Sequence, residues 1–333
     1  MTFKNLSCHH LIPNPSELGT LLELESTSTL YENFDQTLLS PLNEFLSGEG
    51  KKFRSELIEI GFISRRHEIT PAELSKIEIA SQVIEAIHAG SLIIDDIQDH
   101  SAIRRGKPTF HRKHGLATAL NAGNWLYFQA LQQIEKLQLE PLQELQLRKY
   151  CNKIFLKAHF GQAIDVGTSM GLLPQSQVTA ICFTSMELKT GALMALAFDL
   201  GAFLADSEAL PHLQGSRFAR KFGIALQMFD DIGNFYSPPP KGKEDLRNGR
   251  PTFIWAVAAE ISSEADYSRF VHGAQMLPDE SWICSWAELF ELKREAKMRA
   301  SKYLWNTLEQ SLFDSQLKNR IKVLFTKLEN SYV

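Results

Sequence analysis

Three aspartates within five residues, Asp95, Asp96 and Asp99, raise the first chemical question. On a helix of about 3.6 residues per turn, Asp95 and Asp99 share one face, with Asp96 beside them. Carboxylates crowded in this way repel one another unless a cation neutralises them. A few hard oxygen donors suit Mg²⁺, which completes its shell with water and substrate phosphate. The alternating acids and glycine of an EF-hand calcium loop are missing. A solvated helix end could carry the same three acids, so the neighbours decide. His88 lies seven residues earlier on nearly the same face, and Arg104-Arg105-Gly106-Lys107-Pro108 follows directly. Carboxylates, a histidine and paired arginines on one segment are the components of a metal–diphosphate site.

A second cluster stands well over a hundred residues later: Gln227-Met228-Phe229-Asp230-Asp231-Ile232-Gly233-Asn234. Asp230 and Asn234 again share a helical face, and both clusters follow apolar runs. On facing helices the two would form a mouth holding several metal ions around one diphosphate. Lys189-Thr190-Gly191 lies between them, and Lys241, Lys243 and Arg250 lie beyond the second. Each lysine alone is ordinary surface. The set, in this order, is informative.

The elements that must position these residues read as helices. Ile77–Ile97, Asn121–Leu137, Leu145–Val166 and Phe218–Ile232 carry apolar residues at three- and four-residue spacing, and alternating strand patterns are absent. The reading is an all-α protein, one large helical bundle, with residues 1–333 as a single domain and 1–15 expected to be disordered. Three consecutive prolines in Ser237-Pro238-Pro239-Pro240-Lys241-Gly242 cannot continue a helix, and this break reads as a loop over an active site.

The 333 residues, 44% of them hydrophobic, are ample for a large core. A net charge of -4 lacks the basic footprint of nucleic-acid binding. Cys8, Cys151, Cys182 and Cys284 show no C-x-x-C spacing, so a disulfide framework or zinc site is not expected and a reducing cytoplasm fits. The first residues, with Cys8, His9, His10 and two prolines, lack the apolar core of a signal peptide. The apolar stretch Thr190–Ala205 is broken by Asp199 and is short for a bilayer, so no membrane span is expected.

With these motifs in order, the chain resembles the trans-isoprenyl (polyprenyl) diphosphate synthases from about Ser40 to the C-terminal region. Gly50-Lys51-Lys52-Phe53-Arg54 is similar to the family's glycine-lysine-arginine-x-arginine signature. Asp95 to Asp99 with Arg104-Arg105-Gly106 is similar to its first aspartate-rich motif. Gly161-Gln162-Ala163-Ile164-Asp165, Lys189-Thr190 and Gln227 to Asn234 follow in family order. The resemblance implies a Mg²⁺-dependent prenyltransferase, with three ions per site, that joins isopentenyl diphosphate to an allylic diphosphate (dimethylallyl, geranyl or farnesyl). It also implies a central apolar cavity within the bundle, and a homodimer.

By resemblance, Lys51, Arg54, His88 and Arg105 grip the isopentenyl diphosphate, while Arg104, Lys189 and Lys241 hold the allylic diphosphate. Asp95, Asp99 and Asp230 are the expected metal ligands, with Asp96 and Asp231 in support; Thr190 and Gln227 belong to the substrate site. Gly90 and Ser91 stand where members making the fifteen-carbon product often carry bulky aromatics. Small residues there would leave the cavity open, with Tyr127, Phe128 and His159 as its floor. The pattern is similar to geranylgeranyl diphosphate synthases and implies a twenty-carbon product.

The chain departs from the family pattern at Glu49, Lys52 and Ser55, at Asn234 in place of the last aspartate, and at Arg250 in place of a frequent lysine. Two other functions share the resemblance. A class I terpene cyclase would not need Lys51, Arg54, His88 and Arg105. A non-catalytic partner subunit would be expected to lose an aspartate cluster, and both clusters largely survive.

Overall fold

Helix starts and stops written in the sequence are used throughout the computed structural model, which describes residues 11–23, 28–48, 51–66, 68–207, 210–211, 213–238 and 243–332. The chain divides into two compact units, Met1–Ser55 with Ile69–Arg148, and Glu56–Glu68 with Lys149–Val333.

In the first unit, α1 (Pro15–Leu22), α2 (Ser28–Phe34) and α3 (Ser40–Leu46) lead into α4 (Phe53–Ile63), whose residues from Glu56 onward belong to the second unit. From residue 11 the expected disordered segment is packed: Leu11 is buried and its carbonyl accepts a hydrogen bond from Gln129 at 2.9 Å. The 28-residue α5 (Pro71–Gln98) starts at a capping box. Thr70 Oγ1 accepts from the Glu73 N–H at 3.3 Å, and the Glu73 carboxylate accepts from the Thr70 N–H at 2.8 Å. Pro71 takes the first helical position, where its missing N–H costs nothing. Ile77, Ala80, Ile84 and Ile87 form its buried stripe.

A two-stranded hairpin, β1 (Ile103–Arg104) with β2 (Lys107–Pro108), follows, then α6 (Phe110–His114) and α7 (Leu116–Gln133). A single turn of 3₁₀ helix, Ile134–Leu137, extends α7, and α8 (Pro141–Gly167) enters the second unit at Lys149. α5 and α7 run antiparallel in close contact. A Cβ on Gly90 would lie 2.8 Å from the Gly123 carbonyl oxygen, and one on Gly123 would lie 2.8 Å from Ile94 Cδ1.

In the second unit, α9 (Gln175–Met186) and α10 (Ala192–Ala205) are joined without a break by a π-helical turn, Glu187–Gly191. α10 is buried on all sides, including Asp199. That carboxylate is held by the Tyr150 hydroxyl and by Ser216 Oγ at 2.6 and 2.7 Å, which is how a buried charge is tolerated. α11 (Leu213–Phe235) turns Phe218, Phe222 and Phe229 inward at helical spacing; Phe218 and Phe222 stack on Phe325 with centroids 6.2 and 5.7 Å apart. The unit continues with α12 (Glu244–Arg247), α13 (Phe253–Ile261), α14 (Glu264–Gln275), α15 (Ser281–Leu289), α16 (Leu292–Glu309) and α17 (Ser315–Asn330).

The all-α reading holds. Each of the four helices expected from periodicity lies within observed helix, longer by one to a few residues at most ends. Pro71–Gln98 and Gln175–Ala205 are long and apolar enough to cross a bilayer by length and composition. Yet 56% and 72% of their apolar windows are already buried in protein, as in core helices. The expected active-site loop falls largely on residues 239–242, which lie outside the described residues, as do Lys241, Glu49 and Gly50.

Candidate active site

In the first unit, α5 delivers Asp95 and Asp96 in its last turn, and Asp99 is the capping residue, its N–H donating to the Asp95 carbonyl at 2.9 Å. The expected shared face of Asp95 and Asp99 is therefore present. A helix C-terminus already carries negative potential from its unpaired carbonyls and favours cations. Here the last turn has two acids and no basic residue, and a third acid, Asp99, caps it. The chain reverses through His100, left-handed at φ 56°. Its N–H bonds the Ile97 carbonyl at 3.2 Å and the Ser101 N–H bonds the Asp96 carbonyl at 3.0 Å. This is a Schellman cap with histidine where glycine is usual.

Asp96 is buried, and Arg104 grips it with both prongs, Nε to Oδ2 at 2.7 Å and Nη2 to Oδ1 at 2.8 Å. The hairpin makes this possible. Arg105 and Gly106 occupy its two-residue turn with φ of 51° and 76°, the backbone of a type I′ turn. Arg104 was expected on the allylic diphosphate; its fork instead locks Asp96 and the helix end, leaving the partly exposed Asp95 and Asp99 as the carboxylates at the surface of the cluster.

His88 lies on α5 two turns before Asp95. Burial, and the Arg54, Arg104 and Arg105 guanidiniums, push its pKa well below the usual histidine range. The imidazole is neutral at pH 7, amid cations that would welcome an anion. Arg54, the second residue of α4, has Nη1 3.6 Å from Glu85 Oε1, and a Cβ on Gly48 would lie 3.3 Å from Arg105 Nη1. Lys51 lies in the two residues leading into α4. Sequence reasoning had no signal for Glu85, one helical turn before His88.

The expected product-length residues behave differently. Gly90 is filled by the Gly123 carbonyl, Leu126 and Tyr127 of α7, so its missing side chain serves helix contact rather than an open cavity. Ser91 Oγ donates back to the His88 carbonyl at 2.8 Å. Tyr127 is half-buried at the level of the aspartates, its phenol pKa raised by burial and by Asp95. Phe128 is 73% exposed and His159 is exposed, with Nδ1 2.8 Å from the Phe155 carbonyl. Neither is a cavity floor in the single chain, because each lies on the outward face of its helix.

In the second unit the π-helical turn carries Lys189 and Thr190. Such turns insert one residue and re-aim their side chains, often at functional sites. Glycines clamp it. A Cβ on Gly161 of α8 would lie 2.9 Å from the Lys189 backbone nitrogen, and one on Gly223 of α11 would lie 2.8 Å from Gly191 Cα. From this turn Thr190 Oγ1 donates to Gln227 Oε1 at 2.6 Å, and Gln227 Nε2 donates to Asp231 Oδ1 at 2.8 Å. The other oxygen of Asp231 accepts the Phe253 N–H at 2.6 Å, the first residue of α13, whose own Thr252 provides no side-chain cap. Burial raises the Asp231 pKa well above the usual range, against those two hydrogen bonds. Asp231 is thus a helix cap and an anchor.

Asp230 is partly exposed, 3.5 Å from the Asn234 amide nitrogen. As in α5, the last turn of α11 has no basic residue, and Asp230 lies just before that turn. Lys189 Nζ lies 2.8 Å from Asp165 Oδ2, and Arg250 Nη1 donates to the Asp165 carbonyl at 3.3 Å. The sequence reading quoted Asp165 within a motif and assigned it no role.

Among the described residues no three Asp, Glu, His or Cys side chains converge into a ready cage for a metal. Partly exposed carboxylates at or near electronegative helix ends still fit Mg²⁺, which takes few protein ligands and keeps water and phosphate oxygens. In the first unit Asp95 and Asp99 are the residues that could hold such an ion; in the second, Asp230 is.

The chain belongs to the polyprenyl synthetase family, whose model matches residues 35–275. It is 32% identical over 278 residues to a geranylgeranyl pyrophosphate synthase of Penicillium crustosum, covering 84% of this chain and 74% of that protein. It is 30% identical over 263 residues to a copalyl diphosphate synthase of Talaromyces verruculosus, covering 76% of this chain but only 25% of that much longer protein. Its fold is similar to that of a geranylgeranyl pyrophosphate synthase from Corynebacterium glutamicum, solved with isoprenyl diphosphate and magnesium: TM-score 0.78 at 18% identity, over 99% of both chains.

Proposed function

We propose that the protein is a trans-prenyltransferase that condenses isopentenyl diphosphate with an allylic diphosphate (dimethylallyl, geranyl or farnesyl) to give the twenty-carbon geranylgeranyl diphosphate. The observation that carries this reading is the division of labour in each acidic cluster. One buried carboxylate, Asp96 or Asp231, is satisfied by protein donors, while Asp95, Asp99 and Asp230 lie partly exposed at or near helix ends lacking basic residues in the last turn. The cluster of Arg54, His88 and Arg105 adds a second anion site, which an intramolecular cyclase would not need. The twenty-carbon product is supported by the relatives named for it, and no longer by an open cavity at Gly90.

Asp95, Asp99 and Asp230 would hold Mg²⁺, three ions in this reading, which would supply positive charge to the departing pyrophosphate. Lys189 adds a fixed cation, and Lys51, Arg54, His88 and Arg105 orient the isopentenyl diphosphate whose alkene attacks. Lys241 is proposed to help hold the allylic diphosphate. Water must be kept from the allylic cation, a task for the apolar cavity expected in the bundle. Leu116, Leu120 and Phe128 expose apolar surface along α7, which supports a homodimer. Free Cys182 and Cys284 support a reducing, cytoplasmic setting.

The test is a product assay with purified protein, Mg²⁺, labelled isopentenyl diphosphate and starters of five, ten and fifteen carbons. A twenty-carbon diphosphate that disappears with a chelator is expected. Hydrocarbon formed without consumption of isopentenyl diphosphate would make the protein a cyclase. Silence with every starter would make it a partner subunit.

A further inference from the structure

We infer that Asp165 is the positioning residue for Lys189, holding its ammonium at a set point and competing with diphosphate for it. The inference rests on the reading that Lys189 faces a diphosphate. Three contacts converge on Asp165. Its Oδ2 lies 2.8 Å from Lys189 Nζ, with both side chains mostly buried. Its Oδ1 lies 3.4 Å from Ser185 Oγ, a weaker contact from the following helix α9. Its backbone carbonyl, in the last turn of α8 where helix carbonyls lack intrahelical partners, accepts from Arg250 Nη1 at 3.3 Å.

Lysine is a flexible four-carbon stem with a point charge, and it needs a partner if its nitrogen is to occupy one place. The stem here leaves a π-helical turn clamped by Gly161 and Gly223, so the backbone end is fixed by packing. Asp165 fixes the other end. A carboxylate at this distance also takes part of the ammonium's attraction away from an incoming anion. The arrangement sacrifices some ground-state affinity and keeps the cation aligned for charge that develops on the leaving group.

The isosteric Asp165→Asn removes the charge and leaves the shape. Calorimetric titration with inorganic pyrophosphate and Mg²⁺ is expected to show about 3- to 10-fold tighter binding. In the product assay kcat is expected to fall roughly 10- to 100-fold while KM for the allylic substrate also falls. In a Lys189→Gln background the same change should leave pyrophosphate affinity within about 2-fold, because the competed cation is gone. A higher KM with unchanged kcat, or equal tightening in both backgrounds, would overturn the inference and leave Asp165 a merely structural residue. If Asp165→Asn does not fold, Asp165→Glu is read instead. It keeps the charge but shifts it by one methylene, so kcat should fall with affinity near wild type; unchanged kcat would count against the inference. Failure of the unaltered protein to bind pyrophosphate would instead sink the diphosphate reading itself.

Discussion

Replacing Gly90 with alanine separates two explanations of one small residue. If Gly90 lines a cavity, a methyl group there shortens the product and otherwise adds helix propensity. If it serves the contact of α5 with α7, the methyl group meets backbone. An ideal Cβ at Gly90 would lie 2.8 Å from the Gly123 carbonyl oxygen, 3.2 Å from Leu126 Cβ and 3.2 Å from Tyr127 Cε1. A helix backbone cannot rotate away, so the helices must part. Overpacking of this kind costs about 1–3 kcal/mol, against a propensity gain of about 1 kcal/mol.

The reciprocal change is the control. A Cβ at Gly123 would meet Ile94 Cδ1 at 2.8 Å and Cγ1 at 2.9 Å, a side chain that can move, and would meet backbone only at 3.3 Å, at the Gly90 carbonyl oxygen. Ile94 can leave its rotamer for about 0.5–1.5 kcal/mol, and the propensity gain is the same at both sites and cancels. Gly90→Ala should therefore be less stable than Gly123→Ala by about 0.5–1.5 kcal/mol, roughly 1–2 °C in Tm for a chain of this size. Calorimetry on the two variants, with product lengths from the same preparations, makes the comparison. A Gly90→Ala protein at least as stable as Gly123→Ala, and yielding shorter products, would refute the helix-contact argument.

Asp230→Ala and Asp231→Ala should part company. The first leaves Tm unchanged and lowers Mg²⁺-dependent turnover on the order of 100-fold; the second strands the Phe253 N–H and the Gln227 amide and costs about 2–4 kcal/mol of stability by thermal melting. Because His88 has a depressed folded pKa, the unfolded chain gains a proton first as pH falls below about 6.5. Stability is then lost by up to about 1.4 kcal/mol per pH unit. His88→Gln should remove that part of the slope, and identical pH profiles for parent and variant would count against a desolvated imidazole. His100→Gly should relieve the left-handed backbone at the α5 cap and raise stability by about 1 kcal/mol, seen as a higher denaturant midpoint at constant slope.

Much of the fold was legible because helices follow from local pattern. The periodicity of Ile77 to Ile97 lies within the residues that fold into α5. The acidic clusters were legible for the same reason, since one turn of helix is enough to place Asp95 beside Asp99. Other features were not legible. Nothing in the local pattern of Gly90 distinguishes a residue that opens a cavity from one that admits a neighbouring helix. Phe128 and His159 read as cavity floor because an apolar or aromatic residue on a helix carries no label for which face turns inward.

By itself, the sequence determined the all-α class, the acidic pairs, the surrounding cations and their order along the chain, because these depend on residue type and on helical periods of three and four. Only the tertiary structure decided which carboxylates are anchors: Asp96 under Arg104, Asp231 at the start of α13, Asp165 against Lys189. Those pairings join residues from 8 to 24 positions apart, through a hairpin, a helix cap and a π-helical turn. Hydrogen bonds and desolvation act over a few ångströms of space, and that proximity is created by packing rather than by spacing in the chain.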